Sequence, residues 1–319
     1  MKNFSKLLVS LLLLTSSVTA FSQKNSLSNV DEYVQTLGSF DTLNMGTISA
    51  IVTRKFSTNL EKSRAIFCWI ANNITFDLKA AKNNNNEKST SDIILKTRKA
   101  NSMGYATLFQ DMCSVAKIRC LTVDGYVKNN IEEIIEKPDE FNHTWAVIQL
   151  GQSPDTWFYV DPTWGSGYTD EKMKTYTKKY NPNYFFSDKT IFNFQHFPDN
   201  ISWQLGLGAK DLKNFTSMPM VKSEALAVGL SSFTPANGIL KTKLNKPVQF
   251  SIKIADTVTV EIVSLTIGNE KKKKTKTVDY KIDNGKISFS YKFEEEDECP
   301  VTVLINNQPV ICYYAEITE

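Results

Sequence analysis

Histidine is scarce in this chain of 319 residues, which contains only His143 and His196. Zinc and related metals are usually held by histidine and cysteine side chains at short, regular spacing. Two widely separated histidines offer no ligand spacing of that kind. The sequence therefore predicts neither a bound metal nor another cofactor.

A strong excess of either charge is also lacking. Lysine and arginine number 37 and aspartate and glutamate number 34, which gives a formal net charge of +3. Removal of a leader that carries Lys2 and Lys6 lowers this to about +1, and so neutral a protein has no electrostatic case for binding nucleic acid. The one dense basic run, Lys271 to Lys274, lies between strand-like segments and is interpreted as a solvated hairpin tip.

Long apolar runs are missing after the N-terminal segment. None approaches ~18 residues, so the sequence predicts no transmembrane anchor. Residues 1–23 are typical of a secretory signal: Lys2 and Lys6 precede the apolar run Leu7 to Leu14, and Val18-Thr19-Ala20 is a small-residue cleavage site. We expect an exported protein, periplasmic or secreted, and no lipid anchor, because no cysteine lies near the cleavage site.

The chain has five cysteines, a number that is both too small and odd, so a fold built on disulfides is not expected. Cys68, Cys113 and Cys120 fall at the apolar positions of helix-like and strand-like segments, which indicates small core residues. Cys299 and Cys312 flank an alternating segment with a turn at Asn306-Asn307. A disulfide across that hairpin is an open possibility, because an exported compartment permits it.

The middle of the chain predicts one buried helix on an antiparallel sheet. Thr58 to Glu61 is a capping-box helix start. Apolar residues then recur at helical spacing from Tyr105 to Ala116, which predicts a core-facing helix that begins near Ser102. Strands are predicted at Leu121 to Val127, His143 to Leu150 and Trp157 to Val160.

The C-terminal third has a different sequence pattern. Strand-like segments alternate with polar turns, and apolar residues do not recur at helical spacing. The strands are expected at Val248 to Ile254, Val258 to Ile267, Thr277 to Ile282, Lys286 to Phe293 and Val301 to Ile305. Asp283-Asn284-Gly285 is the clearest hairpin turn. Cleavage after Ala20 leaves a mature chain of about 299 residues, a length that favours two domains over one. The predicted organisation is a signal peptide (1–23), an α+β domain (24–225) and a small immunoglobulin-like β-sandwich (226–319).

Ser102, His143 and Asp161 form the one constellation with catalytic character. Ser102 lies at a helix start, His143 begins one strand, and Asp161 ends the next. A nucleophile, a base and an orienting carboxylate in these places are the layout of papain-like Cys-His-Asp chemistry. Here the nucleophile position holds a hydroxyl instead of a thiol.

Four motifs in order resemble those of transglutaminase-like domains. They are Arg64 to Ile74, Ser102-Met103-Gly104-Tyr105-Ala106, His143-Thr144-Trp145 and Asp161-Pro162-Thr163-Trp164-Gly165. The segments Tyr184-Phe185-Phe186 and His196-Phe197-Pro198 are similar to the branch related to the kyphoscoliosis peptidase and the fungal cytokinesis proteins. The resemblance, over about residues 30 to 225, implies a papain-like fold in which Ser102 replaces the catalytic cysteine. It gives Gly104, Trp164 and His196 supporting rather than catalytic roles.

Each member of the constellation also has a plain structural interpretation. Serine is a favoured N-cap, so Ser102 can satisfy the first amides of its helix. His143 alone is compatible with a half-buried structural side chain, and Asp161 before Pro162 with an ordinary turn.

Two functions follow from the resemblance, and a third interpretation remains. In the first, the exported protein is catalytically silent and binds a protein, a peptide or a cell-envelope component, because a serine hydroxyl cannot be pre-ionised as a thiol can. In the alternative, a Ser102-His143-Asp161 triad performs acyl transfer as a peptidase, amidase or transglutaminase. The third makes the β-sandwich the functional part. The sequence does not indicate an oligomeric state.

Overall fold

The computed structural model describes residues 27–82, 90–135, 138–170, 172–269 and 272–319. The predicted signal peptide and Lys271 of the basic run lie outside these residues. Within the described ranges, no helix is long and apolar enough to span a bilayer.

The first third of the described chain is mostly helical. Its helices are α1 (residues 27–35), α2 (Met45–Thr53), α3 (Asn59–Asn73), α4 (Leu78–Lys82), α5 (Ser91–Thr97) and α6 (Ser102–Val115), and β1 (Thr75–Phe76) pairs in parallel with β2 (Lys99–Ala100). The predicted capping box of α3 is confirmed. Thr58 Oγ1 accepts a hydrogen bond from Glu61 N at 3.2 Å, and Thr58 N donates to Glu61 Oε2 at 3.2 Å.

A four-stranded antiparallel sheet packs against α6. The elements of this region are β3 (Arg119–Val127), β4 (His143–Gln149), β5 (Trp157–Val160), β6 (Gly167–Thr169), β7 (Tyr176–Lys178), α7 (Lys189–Gln195) and β8 (His196–Pro198). The sheet has the order β5-β4-β3-β8, whereas β6 and β7 form a separate hairpin. The three strands predicted from the sequence are confirmed with bounds shifted by up to two residues.

Strand β4 departs from its expected alternation, since all seven of its residues are buried. Helix α6 packs on this strand, and the ring of Phe192 in α7 lies against the Trp145 ring, with 5.8 Å between the two ring centroids. A strand covered in this way has no solvent face to alternate with. The apolar face predicted for α6, from Tyr105 to Cys113, is confirmed as part of the same core.

The C-terminal part contains two sheets that enclose a second apolar core. The elements are α8 (Leu212–Ser217), β9 (Met220–Val221), α9 (Glu224–Val228), β10 (Ser232–Thr234), β11 (Ile239–Lys243), β12 (Pro247–Lys253), β13 (Val263–Ile267), β14 (Lys274–Thr277), β15 (Lys281–Asp283), β16 (Lys286–Lys292), β17 (Asp297–Ile305) and β18 (Gln308–Thr318). One sheet has the order β10-β12-β16-β15 and the other β11-β18-β17-β13-β14. Phe250 and Ile287 of the first meet Leu265 and Val303 of the second in one core. The α+β class with C-terminal β-sheets is confirmed, while the immunoglobulin-like assignment and the boundary at 225/226 stay predictions.

Two of the predicted C-terminal strands are shorter than expected. The strand predicted from Val258 begins only at Val263, because Asn306 Oδ1 accepts hydrogen bonds from the backbone of Glu261 and Ile262 in place of a neighbouring strand. The strand predicted at Thr277 to Ile282 is divided, since the chain there passes from one sheet to the other.

The two hairpin turns are confirmed. Asn284 and Gly285 have positive φ, as do Asn306 and Asn307, and each pair joins antiparallel neighbours.

Cys299 and Cys312 do not form a disulfide. In the β17–β18 ladder, Cys299 is opposite Ala315 and Cys312 is opposite Thr302. Successive side chains alternate between faces of a strand, so positions 299 and 302 face opposite ways. The spacing suggested two ends of one hairpin, but the register separates the two sulfurs. Cys68, Cys113 and Cys120 are buried core residues, as predicted.

Lys128, just after β3, is a buried cation outside the predicted site. Its side chain is nearly enclosed, Nζ donates to the carbonyl of Phe215 at 2.6 Å, and Nζ lies 4.0 Å from the centre of the Phe215 ring. Burial lowers the pKa of Lys128 to about 7, against the raising effect of Glu133.

Lys128 is expected to make stability rise with pH. Between about pH 7 and 10 the unfolded chain holds a proton on this lysine that the folded chain has lost, so the free energy of unfolding increases with pH, by at most about 1.4 kcal/mol per pH unit. Urea unfolding of Lys128→Met at pH 6.5, 8 and 9.5 should show a smaller rise than the parent. The exposed-lysine control, Lys210→Met, should keep the parent slope, and an unchanged slope in Lys128→Met would contradict the assignment.

Candidate functional site

Ser102 is the first residue of α6, but it is not the N-cap. That role belongs to Asn101, which has an extended backbone and whose Oδ1 accepts a hydrogen bond from Gly104 N at 2.9 Å. The structural interpretation of Ser102 as the helix cap is therefore wrong. Asparagine suits the cap as well as serine does, and the extended conformation falls one residue earlier. The partly exposed Ser102 side chain is left with no capping duty.

Gly104 and Gly165 confirm that the motif residues around the site support packing. A Cβ on Gly104 would lie 3.0 Å from the Ala100 Cβ and 3.2 Å from the Ile94 side chain. A Cβ on Gly165 would lie 2.4 Å from the Phe67 ring, closer than any real contact. Glycine at these positions lets α6 and the turn after β5 approach their neighbours.

The sheet order brings His143 and His196 to one place, although they are 53 residues apart. His143 begins β4 and pairs with Gly125, whereas His196 begins β8 and pairs with Val127. Gly125 and Val127 lie two residues apart on β3, between the two histidine strands, so their partners share a face of the sheet.

Asp161 follows β5 and is held by the turn that begins with it. Its Oδ1 accepts hydrogen bonds from Thr163 N at 2.9 Å and Trp164 N at 3.0 Å, and Gly165 N donates to its carbonyl at 2.9 Å. This turn explains the Asp-Pro-Thr-Trp-Gly motif: the carboxylate fixes the turn with one oxygen and leaves Oδ2 to face the histidines.

His143 and His196 both contact that second oxygen. The distance to Asp161 Oδ2 is 2.7 Å from His143 Nε2 and 3.1 Å from His196 Nε2. All three side chains are buried, Asp161 completely. Burial alone raises the pKa of the carboxyl, but the hydrogen bonds and charge of the two histidines hold the pKa of Asp161 well below its usual range. Asp161 is therefore a carboxylate.

His196 is the residue that sequence reasoning missed. The sequence indicated a structural role and no link to the triad, since the second histidine comes 35 residues after Asp161. Its partnership with the carboxylate depends on the pairing of β8 with β3, which no local pattern reveals. The one sequence feature that could have indicated this partnership is the His-Phe-Pro motif, because its histidine begins a strand as His143 does.

Among the described residues, these three side chains are also the group that could act as metal ligands, because their ligand atoms all lie within 4.8 Å of one another. The sequence spacing of the two histidines was taken as evidence against a metal site. That interpretation was wrong in one respect, since the histidines are distant in sequence but close in space. Asp161 Oδ2, however, already accepts from both Nε2 atoms. The geometry is that of a hydrogen-bonded network, and we assign no metal to it.

Chemically, the network prepares His143 to act through its other nitrogen. With Nε2–H donated to Asp161, a neutral His143 has its lone pair on Nδ1. Over the residues that the structure describes, Nδ1 makes no hydrogen bond. A carboxylate-oriented imidazole of this kind can accept a proton from a nucleophile or bind a donor group of a ligand.

The structure brings His143 and Asp161 together and leaves Ser102 without a bond to either. In the described ranges, no hydrogen bond joins the Ser102 hydroxyl to His143. Ser102 begins the helix that packs against β4, the strand that begins with His143. Whether Ser102 acts as the third member of a triad stays a prediction.

An α+β fold with a helix on an antiparallel sheet, and a His–Asp pair at the sheet end, define the papain-like class. Within that class, residues 47–162 match the model of the Transglutaminase-like superfamily. The match therefore assigns a transglutaminase-like superfamily domain to residues 47–162. His196 lies beyond the matched residues.

Curated relatives agree with this assignment. The chain is 35% identical over 211 residues to human kyphoscoliosis peptidase, an alignment that covers 66% of this chain and 30% of that protein. It is 37% identical over 186 residues to the mouse protein of that name, which covers 58% and 28%. Cytokinesis protein 3 of Schizosaccharomyces pombe is 23% identical over 174 residues, covering 54% and 19%. The chain thus spans less than a third of the length of these relatives.

The N-cap assignment can be tested by two neighbouring alanine substitutions. Asn101→Ala removes the oxygen that satisfies Gly104 N and should lower the free energy of unfolding by about 1 kcal/mol. Ser102→Ala removes a hydroxyl with no capping bond and should change it by less than about 0.5 kcal/mol. Urea denaturation of both variants at pH 7 measures the difference. A larger loss in Ser102→Ala than in Asn101→Ala would return the cap to Ser102.

Proposed function

We propose that this protein is exported and binds a peptide at a transglutaminase-like site that no longer performs acyl transfer. The observation that carries the proposal is the residue at the start of α6, where Ser102 offers a hydroxyl in place of a thiol, while His143 and Asp161 are hydrogen-bonded to each other. A thiol has a pKa near ~8.5 that a helix N-terminus and an imidazolium can lower, so a thiolate exists at neutral pH. A hydroxyl has to lose its proton during attack, through a direct hydrogen bond to the base.

A groove near the start of α6 supports the binding part of the proposal. It measures about 490 Å³ and begins at β2, the strand that leads through Asn101 into α6. Lys79, Lys99 and Lys174 line it together with the rings of Phe76 and Tyr176.

The charge of the groove favours an acidic peptide. The carboxylate of Asp77 also lines the groove, but its Oδ1 accepts hydrogen bonds from the backbone of Lys79 and Ala80, each at 3.0 Å. The lysine ammonium groups are exposed and can pair with carboxylates of a ligand, while the aromatic rings offer apolar contact.

The second candidate function is acyl transfer by a Ser102-His143-Asp161 triad. It is favoured by the His143–Asp161 bond of 2.7 Å, which orients the imidazole as a serine enzyme requires. The relatives named kyphoscoliosis peptidase give this alternative its reaction class.

Three forms of the mature protein separate the two functions. We expect the native protein and Ser102→Ala to be equally unreactive towards a fluorophosphonate probe, and Ser102→Cys to be alkylated by iodoacetamide. Restored sulfur should also allow Ser102→Cys to incorporate an amine into a glutamine-rich protein. Probe labelling and turnover by the native protein that disappear in Ser102→Ala would establish the triad enzyme instead.

Binding in the groove is tested with a defined probe. A fluorescein-labelled peptide of alternating glutamate and phenylalanine should bind the native protein, with an affinity that falls as salt increases. Lys99→Glu and Lys174→Glu should each weaken binding about tenfold, whereas Lys210→Glu, a matched change elsewhere on the surface, should leave it unchanged. Fluorescence anisotropy measures the three affinities, and equal weakening by all three would show that only net charge matters.

A further inference from the structure

His196 is a buried titratable side chain that neither proposed function uses. It is 1% exposed, and its ring is held by aromatic neighbours on several sides. Phe192 is stacked on it at 3.8 Å with an interplanar angle of 7°, and the rings of Trp164 and Trp145 lie at 4.6 and 5.2 Å. A ring packed in this way has little freedom to turn its nitrogens elsewhere.

The direction of the proton on His196 follows from its two contacts. Nε2 lies 3.1 Å from Asp161 Oδ2, and Nδ1 lies 3.3 Å from the Phe192 carbonyl. That carbonyl already accepts the backbone N–H of His196 at the end of α7. Burial lowers the pKa of His196 to about 4, so the neutral ring carries one proton at pH 7. The shorter contact to a charged acceptor takes that proton.

Asp161 is consequently saturated as an acceptor. A carboxylate offers about four lone-pair sites, two on each oxygen. Thr163 and Trp164 occupy Oδ1 with their backbone N–H groups, and the two histidines occupy Oδ2. With four donors in place, the carboxylate cannot rotate towards another partner without losing a buried hydrogen bond.

We propose that His196 is a positioning residue of the site: through Asp161 it fixes the carboxylate so that His143 keeps its proton on Nε2 and its lone pair on Nδ1. Without the Nε2–H of His196, one site on Oδ2 is empty and the carboxylate can shift. His143 is then no longer confined to one tautomer.

Nitrogen NMR tests this directly, because the protein contains only two histidines. In 15N-labelled native protein, at a pH at which both rings are neutral, each ring should show a protonated Nε2 and an unprotonated Nδ1. In His196→Leu, the His143 nitrogens should shift towards values averaged between the two tautomers. In His196→Gln, whose side-chain amide can donate to Asp161, the native His143 pattern should return.

Two results would overturn the proposal. One is a native His196 that is protonated on Nδ1 alone, which is visible before any substitution and does not depend on a variant folding. The other is a His143 pattern in folded His196→Leu that equals the native one, which would leave His196 a packing residue only.

A second readout rests on the proposed function, because it uses Ser102→Cys beside His143. Adding His196→Leu to Ser102→Cys should slow iodoacetamide alkylation at pH 7 about tenfold, equivalent to a rise of one unit in the thiol pKa. Adding His196→Gln should restore most of the rate. If Ser102→Cys reacts no faster than free cysteine, the placement of Ser102 against His143 fails, whereas the nitrogen spectrum still decides the role of His196.

Discussion

The carboxylate of Asp161 is the interaction on which the rest of the site depends. It is completely buried, and an ionised carboxylate in such surroundings is tolerated only with several good hydrogen bonds. Four donors supply them, from a turn and from two strands. The same group therefore closes the turn after β5, joins β4 to β8 and orients the imidazole of His143.

Two features of the backbone place those hydrogen-bond donors around the carboxylate. One is the turn that follows Asp161, where consecutive amides point at the side chain that precedes them. The other is the central position of β3, which pairs with β4 on one side and with β8 on the other. Because Gly125 and Val127 lie on one face of β3, the two strands beside them present His143 and His196 to the same carboxylate. Removal of either strand from the sheet would leave a buried charge short of partners.

The sequence predicted those parts of this arrangement that are local. The capping box at Thr58, the buried face of α6 and the turn at Asn284-Gly285 each depend on residues within a few positions of one another. The partnership of His196 with Asp161 depends on strand order, which has no local signature. Strand register likewise prevents a disulfide between Cys299 and Cys312. Their spacing fits the end of a hairpin, but their side chains face opposite ways. The cap of α6 was misassigned by one residue, because Asn101 and Ser102 are both good caps and only the backbone conformation distinguishes them.

The hydrogen-bonded His143–Asp161 pair is weak evidence for catalysis, since the network also serves the stability of the fold. Loss of either histidine would leave a buried carboxylate with an empty acceptor site, a change that generally costs stability whether or not the protein is an enzyme. Ser102 stands outside this constraint. It caps nothing, and over the described residues its hydroxyl makes no hydrogen bond to the network. The residue at the nucleophile position can therefore change without disturbing the His143–Asp161 pair, and this independence is what the proposed binding function requires.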